Sequence, residues 1–306
     1  MSILRTKSSQ RKILPGLAVL FTVVLWASAF VGIRATLHDY PPHHLALLRV
    51  IASSIFLAAL TLIRPVRLPA REDLPKIVLT GFLGTTFYII AINYGELSVS
   101  AGAASFIVNT GPIITTILSV YMLNEQINGP IIFSMVTGFV GVGLISIGEL
   151  TALSLNIGSM VILLAAISQS LYFVIQKPLL LKYSALELVS YSIWSGTLFL
   201  MVFSPGLINT VQTAPNSAPA AVIYIGIIPG AIGYVSWSYV LSRYPASKAT
   251  QFLYMVPIVT IIISYIWIEE IPSLISLVGG AIVFGGVANL NFQKRRLTNE
   301  NLQTLS

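Results

Sequence analysis

The chain contains no cysteine. That absence removes a disulfide framework, a thiolate metal site and a cysteine nucleophile. Charge is nearly as scarce: Asp, Glu, Lys and Arg make up 9% of the 306 residues, against about 25% in ordinary soluble domains. The only aspartates are Asp39 and Asp73, and the only histidines are His38, His43 and His44. Hydrophobic residues reach 56% and the mean hydropathy is +0.87. So few polar residues cannot cover the surface of a water-soluble protein of this length. A cytosolic enzyme, a secreted domain and a disordered chain are excluded, and a polytopic membrane protein is left.

What is present is a series of long apolar runs. Bounded by Pro, Gly and charge, they lie at 13–36, 42–63, 74–95, 99–122, 128–147, 156–180, 185–204, 219–242, 246–268 and 273–292. A spanning helix needs about 20 apolar residues, so ten consume about 200 and leave no room for a separate soluble domain. The predicted fold class is all-α integral membrane, with ten transmembrane helices. The least marked connection is 96–98.

The few charges give the orientation. Basic residues fall at Arg5, Lys7, Arg11 and Lys12, then at Arg64, Arg67, Arg71 and Lys76. Lys177 and Lys182, Arg243 and Lys248, and Lys294, Arg295 and Arg296 follow. These are 15 of the 17 basic residues, all on loops of one parity. Arg34 and Arg49 are the exceptions, inside helices 1 and 2. The cytoplasmic excess of Lys and Arg then places both termini in the cytoplasm, with the chain in the inner membrane. The net charge of +7 is thereby read as topology rather than nucleic-acid affinity.

The two halves resemble each other at a constant offset of 145 positions. Gly81 falls on Gly226, Tyr94 on Tyr239, Ala101 on Ala246, Ala104 on Ala249 and Pro112 on Pro257. Thr115 falls on Thr260, Ser119 on Ser264, Glu125 on Glu270 and Gly141 on Gly286. Each half holds five spans, an odd number, so the halves enter the membrane in opposite senses. Inverted repeats of this kind are a transporter signature. The organisation expected is a basic tail at 1–12, repeats at 13–148 and 155–292, and a second tail at 293–306. The start of the chain also has the form of a cleavable signal peptide, with Ala27-Ser28-Ala29 after an apolar run. The pairing of helix 6 with helix 1 argues that helix 1 belongs to the mature fold.

Specific motifs add to the pattern. Leu25-Trp26-Ala27-Ser28-Ala29-Phe30 with Arg34, then Leu48-Arg49, resembles the opening of an EamA repeat, from the drug/metabolite transporter superfamily. Gly226–Gly286, with Tyr239, Ala246-Ser247, Pro257 and Glu270 in register, resembles the second repeat. Gly111-Pro112 and Leu123-Asn124-Glu125 carry the first. Ala27 departs from the Gly often found there, and Ser168 stands near the second-half position of the Trp. The resemblance covers about residues 15–292. It implies a ten-helix bundle with a central cavity, and efflux or exchange of small metabolites.

Within the spans, polar residues are the informative ones. Pro112 and Pro257 lack an N–H and block the carbonyls of Val108 and Leu253. In hydrocarbon such acceptors need protein, water or ligand, and paired interruptions point to a binding site or hinge. A packing kink is the structural alternative. Asn109, Gln169 and Gln251 are candidate amide ligands, with interhelical hydrogen bonding as the alternative. Trp26, Phe30, Tyr88, Tyr172, Trp237 and Tyr254, together with Phe173 and Tyr234, are candidate aromatic walls or core packing. Arg49 can meet a substrate carboxylate, pair with Asp39, act at a gate or snorkel to headgroups. His43 and His44 read as solvated residues at a helix start. Glu125 and Glu270 fall at opposite faces, where each can close a gate against a basic residue or an exposed backbone N–H. Gly226/Gly230, Ser134/Gly138 and Ala281/Gly285 read as close helix contacts.

No aspartate lies inside a span, which weakens a midplane proton or sodium site, although a proton is kept as the candidate coupling ion. No nucleotide motif, cofactor site, metal cluster or nucleic-acid surface is expected, and no enzyme activity. The expectation is a secondary or facilitative transporter, working by alternating access on small amphipathic metabolites, with amino acids or their derivatives leading. Nucleotide-like or other anionic metabolites, multidrug export, a channel and a structural membrane protein are the alternatives. The partners expected are the substrate and the bilayer, with the chain a monomer or homodimer.

Overall fold

A computed structural model describes the backbone of residues 2–99, 101–148, 157–215, 218–268 and 273–303, with side chains except at 2–13, 34–35, 101–103, 148, 264, 266–268 and 290–303. Among the described residues every regular element is a helix. Nine are long and apolar enough to cross a membrane: α1 Leu14–Ile33, α2 Pro42–Ile63, α3 Leu74–Gly95, α4 Ala104–Leu123, α5 Gly129–Ile147, α6 Ile157–Leu179, α7 Ala185–Phe203, α8 Ala218–Arg243 and α9 Ala246–Ile263. The tenth, α10, has the shorter apolar stretch Leu274–Asn289, within a helix that continues to Gln303. The first helix likewise begins at Ser2, ahead of its apolar run. The outward faces are apolar, with Ile55, Leu62, Leu198 and Leu277 exposed. In water such a surface would be unstable; against lipid tails it is matched.

Local sequence starts and stops these helices. Pro42 opens α2 at the first position, where a missing N–H is harmless. Ser184 and Glu187 form a reciprocal capping box that begins α7. Asn124, at φ 53°, ends α4 in the left-handed conformation that Asn tolerates.

The packing exchanges the two halves. α1 lies against α8 and α9, as α6 lies against α3 and α4. α2 meets α8 as α7 meets α3, while α2–α7, α4–α9 and α5–α10 are pairs of equivalent helices. Small residues permit the closest approaches. A Cβ on Gly226 would stand 2.4 Å from the Arg49 carbonyl oxygen, and one on Gly81 would stand 2.3 Å from that of Ser192. Along α5–α10 the contact runs through Gly141 and Gly279. The expected Ala281/Gly285 contact differs, because Gly285 faces open space.

Two irregularities repeat with the same offset. α3 is a helix to Gly81, a π-helix at Phe82–Phe87 and a helix again from Tyr88. α8 carries its π-helix at Gly226–Ile232. Adding 145 to Phe82–Phe87 gives 227–232. Similarly, the helix before α4's proline ends at Val108 and restarts at Gly111, while α9 tightens to a 3-10 turn at Phe252–Tyr254. Such interruptions expose carbonyls that a regular helix would consume.

Candidate functional site

The interrupted segments surround one cavity. Its wall includes Trp26 and Phe30 of α1, Arg49 of α2, Tyr88 of α3, Asn109 and Pro112 of α4, Gln169 and Phe173 of α6, Pro229 and Tyr234 of α8, and Leu253 and Val256 of α9. Both halves contribute. Counted together with its open mouth, the space it encloses is about 740 Å³.

The aromatic part is fixed by hydrogen bonds as well as packing. Trp26 Nε1 donates to the Pro229 carbonyl at 3.3 Å, and Tyr234 donates its hydroxyl proton to the Gly84 carbonyl at 2.8 Å. Both acceptors lie in π-helices. Gly233 gives the indole its seat, because a Cβ there would come within 2.9 Å of Trp26 Nε1. The Trp26 and Phe173 rings are nearly parallel, with centroids 6.2 Å apart. Tyr234 meets Trp26 edge-on at 5.7 Å.

The polar part is sparse. Asn109 donates Nδ2 to the Ser105 carbonyl at 2.8 Å, which orients its amide. The Tyr88 hydroxyl lies beside the Gln169 amide. Arg49 is buried in the wall, and among the described residues no ion pair joins it to Asp39.

Other expected residues stand elsewhere. Tyr172 and Trp237 are fully buried behind the wall, with their rings tilted against those of Tyr234 and Phe173 respectively. Gln251 does not line the cavity: its Nε2 donates to Thr116 Oγ1 at 3.2 Å and to the Ser247 carbonyl at 3.0 Å. Tyr254 is turned toward α5, where its ring fills the space left by Gly138. Pro257 also lies outside the wall, next to Val256. The α9 residues that line the cavity are Leu253 and Val256 instead. Glu270 lies outside the described residues. His44 is not solvated; its imidazole meets Thr210 Oγ1 at 2.8 Å and the Pro205 carbonyl at 3.1 Å.

A polar cluster joins the end of α4 to the α8–α9 connection. The Glu125 carboxylate accepts from the backbone amides of Ala246 at 2.6 Å and Ser247 at 2.9 Å, and from Ser247 Oγ at 2.6 Å. Lys177 donates to the Leu241 and Tyr244 carbonyls at the end of α8. An anion thus sits on the N-terminus of α9 and a cation on the C-terminus of α8, as the helix dipoles favour. Ser238 Oγ donates to Gln176 Oε1 at 2.9 Å just above them. Loops at this end join the halves again. Lys182 pairs with Asp73 and Glu72, Arg67 pairs with Glu187, and Tyr183 donates to Asp73 at 2.9 Å. The Tyr183 hydroxyl, and then Lys182, hold the Asp73 carboxyl below the usual carboxylate range.

Several of these residues escaped the sequence reading. Lys177 counted only as topology, and Glu96, buried past the end of α3, fell in the unmarked 96–98 connection. Pro229 and Gly233 carry no periodic signal.

Comparisons with known proteins agree with this architecture. The model of the EamA-like transporter family matches twice, at residues 14–147 and 156–292. The uncharacterized transporter YdfC of Bacillus subtilis is 43% identical over 86% of this chain and 86% of its own. A protein of Streptantibioticus cattleyicolor, described as a "probable terminal-alkyne amino-acid exporter", is 36% identical over 90% of this chain and 92% of its own. A "probable amino-acid metabolite efflux pump" of Escherichia coli is 24% identical over 89% and 93%. A crystal structure of another protein superposes with a TM-score of 0.75 at 16% identity, covering 92% of this chain and 98% of that one, which shows a shared fold. This multi-pass membrane protein belongs to the EamA-like transporter family.

Proposed function

We propose that the protein is a secondary or facilitative transporter that moves small amphipathic metabolites, amino acids or their derivatives foremost, across the inner membrane by alternating access. The observation that carries this reading is the cavity walled by both halves. Trp26, Phe30 and Phe173 cover an apolar body, and Asn109, Gln169 and Tyr88 orient polar groups. The names of two relatives, which refer to amino-acid export and amino-acid metabolite efflux, favour the same solutes.

In this reading the Glu125–Ser247 contact, with Lys177, is the closed cytoplasmic gate. Both termini face the cytoplasm, and the interruptions at Pro112 and in α9 near Pro257 are the hinges about which five-helix repeats rearrange. Each carboxylate-to-amide contact is short, charged and reversible, which suits a gate better than an apolar plug.

The test is flux in proteoliposomes with a panel of labelled amino acids and derivatives. Saturable uptake that shows counterflow supports the reading. Conductance that rises without saturation overturns it in favour of a channel. Impermeant labelling of single cysteines placed in the 64–73 and 243–248 loops checks the orientation, since the chain is cysteine-free.

A further inference from the structure

Arg49 lies two turns into α2, about 10 Å from its start at 1.5 Å per residue. The residue is 6% exposed and forms part of the cavity wall. Its backbone is firmly placed. Ser53 Oγ donates to the Arg49 carbonyl at 2.9 Å and to that of Gly226 at 2.7 Å, and Gly226 packs directly against the same turn. Its guanidinium is different. Among the described residues the ion pairs lie elsewhere, and the hydrogen bond at Arg49 is to its main chain. Glu96, buried beyond α3, acts on it through space rather than as an ion pair.

A buried cation with no direct ion pair is costly, and packing does not require one here. The close approach of Gly226 to Arg49 on α2 is repeated by the approach of Gly81 to Ser192 on α7. Arg49 therefore occupies the place that a serine fills in the other half, and the contact forms equally well. What the arginine adds is a planar fork of five N–H donors at the cavity, matched to a carboxylate. The wall contains this one cation and, among the described residues, no carboxylate. An ammonium group would leave water there without an anion to replace it.

We propose that Arg49 binds the carboxylate of the transported molecule, and that the site reads this carboxylate while leaving an amine unread. The substrates are amphipathic monocarboxylates whose apolar body lies against Trp26, Phe30 and Phe173, including amino acids with an acylated nitrogen. Asn109 serves them too: with Nδ2 held by Ser105, its Oδ1 accepts the N–H that an amide supplies as well as an amine. This assignment rests on the transporter reading above and narrows it.

The experiment is ligand binding to the purified full chain by thermal shift, since a bound ligand raises apparent stability. Four probes separate the charges: phenylalanine, N-acetylphenylalanine, phenylalaninamide and N-acetylphenylalaninamide. Both acids are expected to bind about tenfold or more tighter than the matching amides, with N-acetylation of the acid changing affinity less than threefold. Arg49→Gln removes the preference for acids. Arg49→Lys, which keeps the charge and loses the fork, retains it at lower affinity and guards against a variant that merely fails to fold. Amides binding as well as acids, phenylalanine binding tenfold tighter than its N-acetyl form, no binding by either acid at millimolar concentration, or preference surviving in Arg49→Gln would each overturn the proposal. Counterflow with the same probes is scored separately. Binding in the expected order without saturable flux sinks the transporter reading and leaves the Arg49 assignment standing.

Discussion

The carbonyls of Gly84 and Pro229 stand 145 positions apart, and each accepts a hydrogen bond from an aromatic side chain in the opposite half. Tyr234 reaches Gly84, and Trp26 reaches Pro229. Both acceptors lie in π-helices, and both donors join the halves while standing in the cavity wall. Fold and site are therefore joined at the same two atoms.

Removing either donor should leave a buried carbonyl unsatisfied, at a cost of about 1–3 kcal/mol. Tyr234→Phe keeps the ring and loses the hydroxyl. We expect a lower Tm in detergent, and lower flux, with the span count unchanged. Trp26→Phe should do the same through Pro229. A Tm equal to that of the parent in both variants would mean that these bonds do not hold the halves.

The offset of 145 is visible in Gly81/Gly226 and Pro112/Pro257, and with charge parity it makes the ten-helix architecture readable from residues alone. Most of the cavity wall was readable as well, since Asn109, Gln169 and Arg49 are rare polar residues in apolar runs. The π-helices were not. Each adds a residue to one turn, and a periodic apolar pattern absorbs that shift without a trace. In α9 the facing was not legible either: Leu253 and Val256 line the cavity, and Gln251 and Tyr254 do not. The contacts of Glu125 were half legible: its position at a helix end was plain, while its partners, the amides of Ala246 and Ser247, depend on tertiary geometry.

Glu125→Gln keeps the size of the side chain and removes the charge that makes its bonds strong. Losing about 2 kcal/mol from the proposed gate would raise the open fraction roughly thirtyfold. A single reporter, Thr116→Cys, lies beside Gln251. In Glu125→Gln its labelling by an impermeant maleimide from the α8–α9 loop side should accelerate by one to two orders of magnitude. An unchanged rate would show that the Glu125 contact is not what closes this end.

Gly226→Ala tests the α2–α8 contact without touching a polar group. The added methyl would overlap the Arg49 carbonyl oxygen at 2.4 Å and the Ala52 Cβ at 2.8 Å. Backbone must move to admit it, at about 1–3 kcal/mol. The variant should unfold at lower temperature and bind substrate more weakly, because the displaced backbone is that of Arg49. Gly285→Ala, which meets nothing within 4 Å, is the control and should match the parent. Equal stability of the two variants would refute the close contact.

Acid should loosen the loops around Asp73. The Asp73 carboxyl is held below its ordinary value of 3.8 by Tyr183 and Lys182. A depressed folded-state pKa gives stability that is complete above the ordinary value and is lost as pH falls through the lower one. Stability from this group should be flat from about pH 5 to 8 and decline below about pH 4. Tyr183→Phe removes the largest cause, so the carboxyl returns toward its ordinary range and the decline below about pH 4 becomes smaller. Asp73→Asn removes the titration, and the difference in Tm between parent and variant should shrink steadily as the buffer is acidified. A difference that stays constant from pH 7 to 3 would show that Asp73 contributes no ionised contact to the fold.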